Sequence, residues 1–324
     1  MSVDLTDPIF HNEEAARAHF EKLHWPDGKP ICPHCGVVGD TTLIKGKSHR
    51  AGMYQCNACL KPFTVTVGTV MEASHLPLTK WALAFHLMAS SKKGVSAHQL
   101  MRTLGIKSYR SAWFLAHRVR EAMADPDPEP LGGKGKTVEI DETFIGKPDE
   151  IFVSGKGWQK KRGTATKRKV LTMVERHGRA VSVKVEDLTV DTLKIVIGKT
   201  VVLDSELNTD EAQHYKSIGE KFSSHGAVNH SEEEYVRREG GKLITTNTVE
   251  GYFGLFKRGM VGVYQHCAEH HLQKYLNEFD FRYSNRSALG IEDTERANLA
   301  IKGAVGKRLT YKQPRPAQPK QARA

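Results

Sequence analysis

Two Cys-x-x-Cys knuckles, Cys32-Pro-His-Cys35 and Cys56-Asn-Ala-Cys59, stand twenty residues apart near the N-terminus, and they limit the fold more than any other feature of the chain. Knuckles at that separation can present four thiolates tetrahedrally to one zinc ion while the segment between them folds as short strands. The rival reading is a pair of disulfides, which needs an oxidising compartment. The start, MSVDLTDPIF, has neither a basic nor an apolar leader region, so the expectation is a cytoplasmic protein with reduced thiols. Four thiolates leave no open coordination position, so the zinc is structural. The region 1–72 is expected to be a zinc ribbon. Cys267, outside the knuckles, is expected to pack as a small hydrophobe.

The chain carries a net charge of +11, which favours a polyanionic partner such as double-stranded DNA. It has no apolar run near 18 residues, which argues against a membrane span. The charge is clustered. Residues 156–169 carry seven Lys or Arg and no acid, and so do residues 297–324. These stretches are either solvated or contact phosphates, where cations release condensed counterions. The second reading places the protein on the nucleoid. The tail 291–324 is expected to be basic and disordered.

Between 73 and 124 the pattern is helical. Ser96 can cap a helix with Leu100 and Leu104 facing inward, Gly105 breaks it, and Ser108 can cap a second helix with Ala112, Leu115, Ala116 and Val119 inside. This is the pattern of a helix-turn-helix, shared by helical hairpins that bind nothing. Read as a helix-turn-helix, it puts Lys107, Tyr109 and Arg110 at the start of the recognition helix. Residues 125–136, rich in Pro and Gly, read as a linker.

From 137 to 290 strands and helices are mixed. TVEIDETFIG (137–146) alternates as a strand, with Glu139 and Asp141 on one face. A hairpin around His177-Gly178, a short helix over 189–199, a fourth strand that starts at 200 and runs into a polar turn and helix by 215, and a later helix follow. Carboxylates fall on the first strand, after the fourth and on the last helix. That order is the order of an RNase H-like fold, and three carboxylates converging from distant segments suit two divalent ions, magnesium or manganese, for phosphoryl transfer. The last helix, NTVEGYFGLFKRG (247–259), packs Val249, Tyr252, Phe253, Phe256 and Met260 on one side. Glu250, Lys257 and Asn247 lie at the edge of that stripe beside two interior glycines, each costing roughly 1 kcal/mol against alanine. The plain alternative is an amphipathic helix with an incidental acid.

The motifs DETFIG, TDEAQHY, VNHSEEEYV and TNTVEGYFGLFKRGMVGVYQH, in this order behind a zinc ribbon, closely resemble the bacterial insertion-sequence transposases of family 1595, which have a DDE catalytic domain. The likeness runs over roughly 20–290. It implies that the ribbon and helix-turn-helix bind the element's ends and that an RNase H-like domain cuts and joins DNA, as a homo-oligomer on the DNA. Residue by residue it puts the metal carboxylates at Asp141, Asp210 and Glu250 and a basic residue near DNA at Lys257, with Arg258 beside it. Asn247 is then placed to orient Glu250 or a base. Two alternatives stay open: Asp204, which ends the apolar run 201–203, for the second carboxylate, and Asn247 for the third. HCAEH (266–270) also fits the inverted zinc-protease pattern. The other function classes are a DNA-binding regulator that no longer catalyses and an RNase H-like nuclease that cuts without joining.

Overall fold

The computed structural model describes residues 4–46, 48–146, 150–160 and 167–311. Helix α1 (Glu13–His24) is capped by the Asn12 side chain, which accepts from the Glu14 and Ala15 amides. Strands β1 (Thr41–Leu43), β2 (Tyr54–Cys56) and β3 (Pro62–Phe63) form a small antiparallel sheet between the knuckles. Helices α2 (Leu78–Ser90), α3 (Ala97–Thr103) and α4 (Tyr109–Met123) follow. The turn between α3 and α4 passes through Gly105 at φ +59°, and Leu100, Leu104, Ala112, Leu115, Ala116 and Val119 are buried, as the helix-turn-helix pattern requires.

The ribbon and the helices share one core. Trp25, Phe63, Val65 and Met71 pack in the same cluster as Trp81, Phe85, Leu115 and Val119.

The second unit is built on a five-stranded sheet. Its strands are β4 (Thr137–Ile145), β7 (Arg168–Glu175), β8 (Ala180–Val185), β9 (Glu206–Asp210) and β10 (Ser224–Val228); between β4 and β7 stands a hairpin of β5 (Glu150–Val153) and β6 (Gly157–Lys160). The spatial order is β10-β9-β4-β7-β8. β4 pairs antiparallel with β7 and β7 with β8, whereas β9 runs parallel to both β4 and β10. This is the RNase H-like topology. Helices α5 (Val190–Thr200) and α6 (Gln213–Gly219) cover one face, where Val138, Ile140, Leu193, Ile197 and Tyr215 pack. On the other face, hairpin β11 (Val236–Glu239) and β12 (Lys242–Thr245) leads into α7 (Asn247–Gly259), followed by α8 (Leu272–Ser284). There Val249, Tyr252, Phe256, Leu276 and Phe279 pack on Val170 and Val174.

Three expectations change. The segment 291–324 contains α9 (Asp293–Lys302), whose Ala297, Ala300 and Ile301, with Ala304 after it, are buried in the N-terminal core. A charge count misses a stripe made mainly of alanine. Residues 312–324 lie outside the described residues. The expected linker 125–136 is anchored at its far end: Leu131 is fully buried and bridges Val201, and the Gly132 amide donates to Glu175. The fourth strand is not the apolar run 201–203 but Glu206–Asp210, and Val202 and Leu203 are exposed.

The two units meet through a buried ion cluster. Arg120 on α4 donates to Glu278 on α8 at 2.6 Å, Arg282 pairs with the same carboxylate, and the Tyr264 hydroxyl donates to it at 2.6 Å. No helix among the described residues is long and apolar enough to cross a membrane.

Candidate active site

Two parallel strands set the site. β4 and β9 pair from Thr137↔Glu206 to Glu139↔Asn208, where the ladder ends. Asp141 and Asp210 each lie two residues beyond the last pair, where the two parallel strands part: Asp210 is the last residue of β9, whereas β4 runs on beside β7 to Ile145. Carboxylate oxygens of Asp141, Glu142 and Asp210 come within 4.8 Å of one another. Burial pushes the Asp141 carboxyl up to about 7, and Glu142, Asp210 and Glu250 reinforce the shift by repulsion, although the Glu142 amide donates to it. Burial also raises Glu142, opposed by the Tyr215 hydroxyl and by the His214 ring, whose Nε2 lies 2.9 Å from its carboxylate. Crowded, half-buried oxygens of one sign are the donor set that a hard divalent cation requires.

Asp204 lies in an exposed turn ahead of β9, away from this group. Glu142 was missed, because strand alternation assigns it to the face opposite Asp141. The signal that could have found it is the adjacent Asp-Glu pair within the strand. Glu250 is exposed and stands outside the tight trio. Its Oε1 accepts from the Thr246 hydroxyl at 2.9 Å and lies 3.4 Å from His230 Nε2, yet it is near enough to act on Asp141. Asn247, Lys257 and Arg258 are exposed on the same helix. Lys257 Nζ sits 5.6 Å from the Phe253 ring centre, and Arg258 donates to the Gly254 carbonyl. A Cβ built on Gly251 would touch nothing within 4 Å, and one on Gly254 would meet only the tip of Arg258 at 3.7 Å. The protein's own packing therefore does not require either glycine.

In the ribbon, Cys32 and Cys59 Sγ are 3.7 Å apart and Cys35 and Cys56 are 3.6 Å apart, with all four sulfurs in one group. A tetrahedron with Zn–S near 2.3 Å has edges of about 3.8 Å, so the four thiols fit zinc. Burial works against the Cys32 thiolate, but the His34 and Cys35 amides outweigh it and hold the thiol at about 7. Each knuckle closes with a left-handed residue, Gly36 at φ +77° and Leu60 at φ +60°. Lys107 and Tyr109 are exposed at the start of α4, with the Tyr109 ring 4.4 Å from that of His98. Arg110 instead stacks 3.9 Å over the Tyr311 ring of the C-terminal segment. The inverted protease pattern does not assemble: 266–270 is not helical throughout, and its side chains form no metal-sized group among the described residues. Cys267 is buried, as expected. Part of the basic stretch, 161–166, lies outside the described residues.

The Asp141 shift gives a signed expectation. Its folded value, about 7, lies above the ordinary 3.8, so the metal-free fold gains stability from this group below pH 4 and loses it as pH rises through 7. A cation must displace that proton. Manganese affinity, read by calorimetry, is expected to fall about tenfold per pH unit below 7 and to level off above it. A flat profile between pH 5 and 7 would refute the shift.

Comparison with known proteins bears on this site. The family model of the ISXO2-like transposase domain matches residues 130–284, and that of the transposase zinc-ribbon domain matches residues 11–61. Over 288 residues, 84% of this chain and 91% of the other, the sequence is 24% identical to an uncharacterised protein in transposable element ISH50 of Halobacterium salinarum. Among solved structures, the simian T-cell lymphotropic virus intasome in complex with PP2A regulatory subunit B56 gamma aligns at 14% identity and a TM-score of 0.27. That match spans 56% of this chain and 63% of that one, and it is too loose to carry weight.

Proposed function

The chain belongs to the transposases of insertion-sequence family 1595, and from that premise we propose that it binds the ends of its element and catalyses phosphodiester cleavage and strand transfer on double-stranded DNA. The observation that carries this reading is the convergence of Asp141, Glu142 and Asp210 just past the last pair of two parallel strands, with the Asp141 carboxyl raised to about 7. Asp141 and Asp210 would hold the divalent ions, with Glu142 beside them and Glu250 on α7 as the third carboxylate. Bound there, magnesium or manganese neutralises charge at the attacking and leaving oxygens of an in-line displacement.

The remaining roles fall to the protein's own groups. The Glu250 edge of α7, free of side chains at Gly251 and Gly254, admits a DNA backbone. Lys257 and Arg258 neutralise its phosphates, and Asn247 lies at the same edge for a base or for Glu250. Lys107 and Tyr109 meet the element's end from α4, and Arg110 joins them once Tyr311 is displaced. Water opens the phosphodiester at the end, and the freed 3′-hydroxyl then attacks target DNA. Cutting at two ends calls for at least two copies, so the working form on DNA is a homo-oligomer in the nucleoid.

The test is magnesium-dependent cleavage and joining with the DNA that flanks the protein's own gene. End-binding without cutting would make it a regulator. Cutting without joining would make it a nuclease.

A further inference from the structure

The residues two positions before Asp141 and Asp210 do something their neighbours do not. Glu139 is fully buried on the strand face that carries Asp141. Its Oε2 accepts from the Thr248 amide at 2.7 Å and the Val249 amide at 3.1 Å, and its Oε1 accepts from the Thr248 hydroxyl at 2.8 Å and from Arg176 Nε at 2.6 Å. Those amides belong to the first turn of α7, whose N-terminal residue Thr246 makes no side-chain cap. A strand more than a hundred residues away in sequence thus supplies the cap that the helix lacks. A carboxylate at a helix N-terminus is also favoured by the helix dipole.

Asn208, opposite Glu139 in the last pair of the β4–β9 ladder, acts on the same junction. Its Nδ2 donates to the Leu243 and Thr245 carbonyls, both at 3.2 Å. Arg176 closes the ring by donating to the same two carbonyls, at 2.7 and 3.1 Å. One rung of the sheet therefore holds the start of α7 from both strands, and two residues further on each strand carries a carboxylate of the candidate site.

We propose that Glu139, Arg176 and Asn208 form a positioning clasp that fixes the first turn of α7, and so Glu250, in register with Asp141 and Asp210. The proposal rests on the metal-site reading given above. The clasp touches neither metal nor DNA. It acts through the helix that brings the third carboxylate, which is how partners of metal ligands tune affinity by about 10- to 100-fold.

Glu139→Gln keeps the size but turns an amide NH₂ toward the Arg176 guanidinium or the α7 amides, so at least one bond is replaced by a donor facing a donor. In the full-length, zinc-loaded protein, manganese affinity by calorimetry at pH 7.5 is expected to fall about tenfold. The magnesium concentration for half-maximal end cleavage should rise by a similar factor, with most of the maximal rate restored at saturating metal. End-DNA affinity and zinc content should not change. Thr248→Ala, which removes one donor and leaves the fold intact, should shift manganese affinity about threefold in the same direction. It decides the matter should Glu139→Gln not fold.

Asp141→Asn is the reference. Wild-type manganese affinity in Glu139→Gln, with affinity lost in Asp141→Asn, overturns the clasp alone, and so does a lowered melting temperature without a change in affinity. Unchanged affinity in both variants overturns the metal-site reading and the clasp with it.

Discussion

Asp141→Asn and Asp210→Asn are each expected to reduce DNA cutting and joining by about 10³-fold or more while leaving end-binding nearly unchanged. Loss of one ligand from a two-ion site removes several kcal/mol of transition-state stabilisation, and about 1.4 kcal/mol is a factor of ten. The amide matches the carboxylate in size, so packing survives. For Asp141 stability should improve, because the metal-free fold buries that carboxylate beside three like charges and the substitution removes the charge that both effects disfavour. Above pH 7 the metal-free Asp141→Asn protein should melt no lower than wild type, which separates lost chemistry from lost structure. Glu250→Gln should be equally inactive. Asp204→Asn, in an exposed turn, should retain much of the activity. An inactive Asp204→Asn beside an active Asp210→Asn would overturn the second assignment. An inactive Asn247→Ala beside a normal Glu250→Gln would overturn the third.

What the sequence made legible were the elements whose burial is apolar and periodic. β4 and the β7–β8 hairpin form where their apolar runs stand, with Val138, Ile140, Val170, Leu171, Met173 and Val174 buried, and α7 with the residue after it buries Val249, Tyr252, Phe253, Phe256 and Met260 on one side as the 3.6 period requires. β9 starts six residues later than the expected strand, at Glu206 and not at 200, for the opposite reason. Its strand, Glu-Leu-Asn-Thr-Asp, buries Asn208 and Thr209, and it can do so because Asn208 donates to two carbonyls of the β12–α7 junction and Thr209 meets the Asp210 carbonyl and His225. A strand whose inward residues are polar and satisfied from 35 residues away has no local signature. Glu139 shows the same limit. Alternation places it on the face of Asp141, and only its bonds to Thr248 and Val249 of α7 and to Arg176 mark it as structural.

The joint between the two units was equally invisible. Gly94 lies so close to Tyr264 that a Cβ there would fall 1.9 Å from its hydroxyl, and a Cβ at Gly259 would come 2.7 Å from the Lys93 carbonyl. The C-terminal end of α7 is thus packed on the loop before α3, and the Arg120–Glu278–Arg282 cluster ties α4 to α8 nearby. Removing Glu278 from this buried group would leave two guanidinium groups without their carboxylate, a cost that outweighs any net attraction within the cluster.

Zinc removal is expected to have the largest effect on stability. The ribbon's strands are two or three residues long, and its apolar centre is little more than Trp25, Tyr54 and Phe63, with Cys32 and Cys56 buried among them. A sheet that small cannot offset its chain entropy, whereas structural zinc on thiolates contributes on the order of 10 kcal/mol. Chelation, or Cys56→Ser, should therefore unfold the ribbon, and the loss should extend to α2 because Phe63, Val65 and Met71 share its core. The catalytic sheet should remain, since its two apolar clusters contain no ribbon residue. Calorimetry should show an early, zinc-dependent transition that returns when zinc is added back, beside a later one that chelation leaves in place. End-binding should vanish with the first. A metal-free protein that keeps the early transition would show that the four cysteines are not a zinc site.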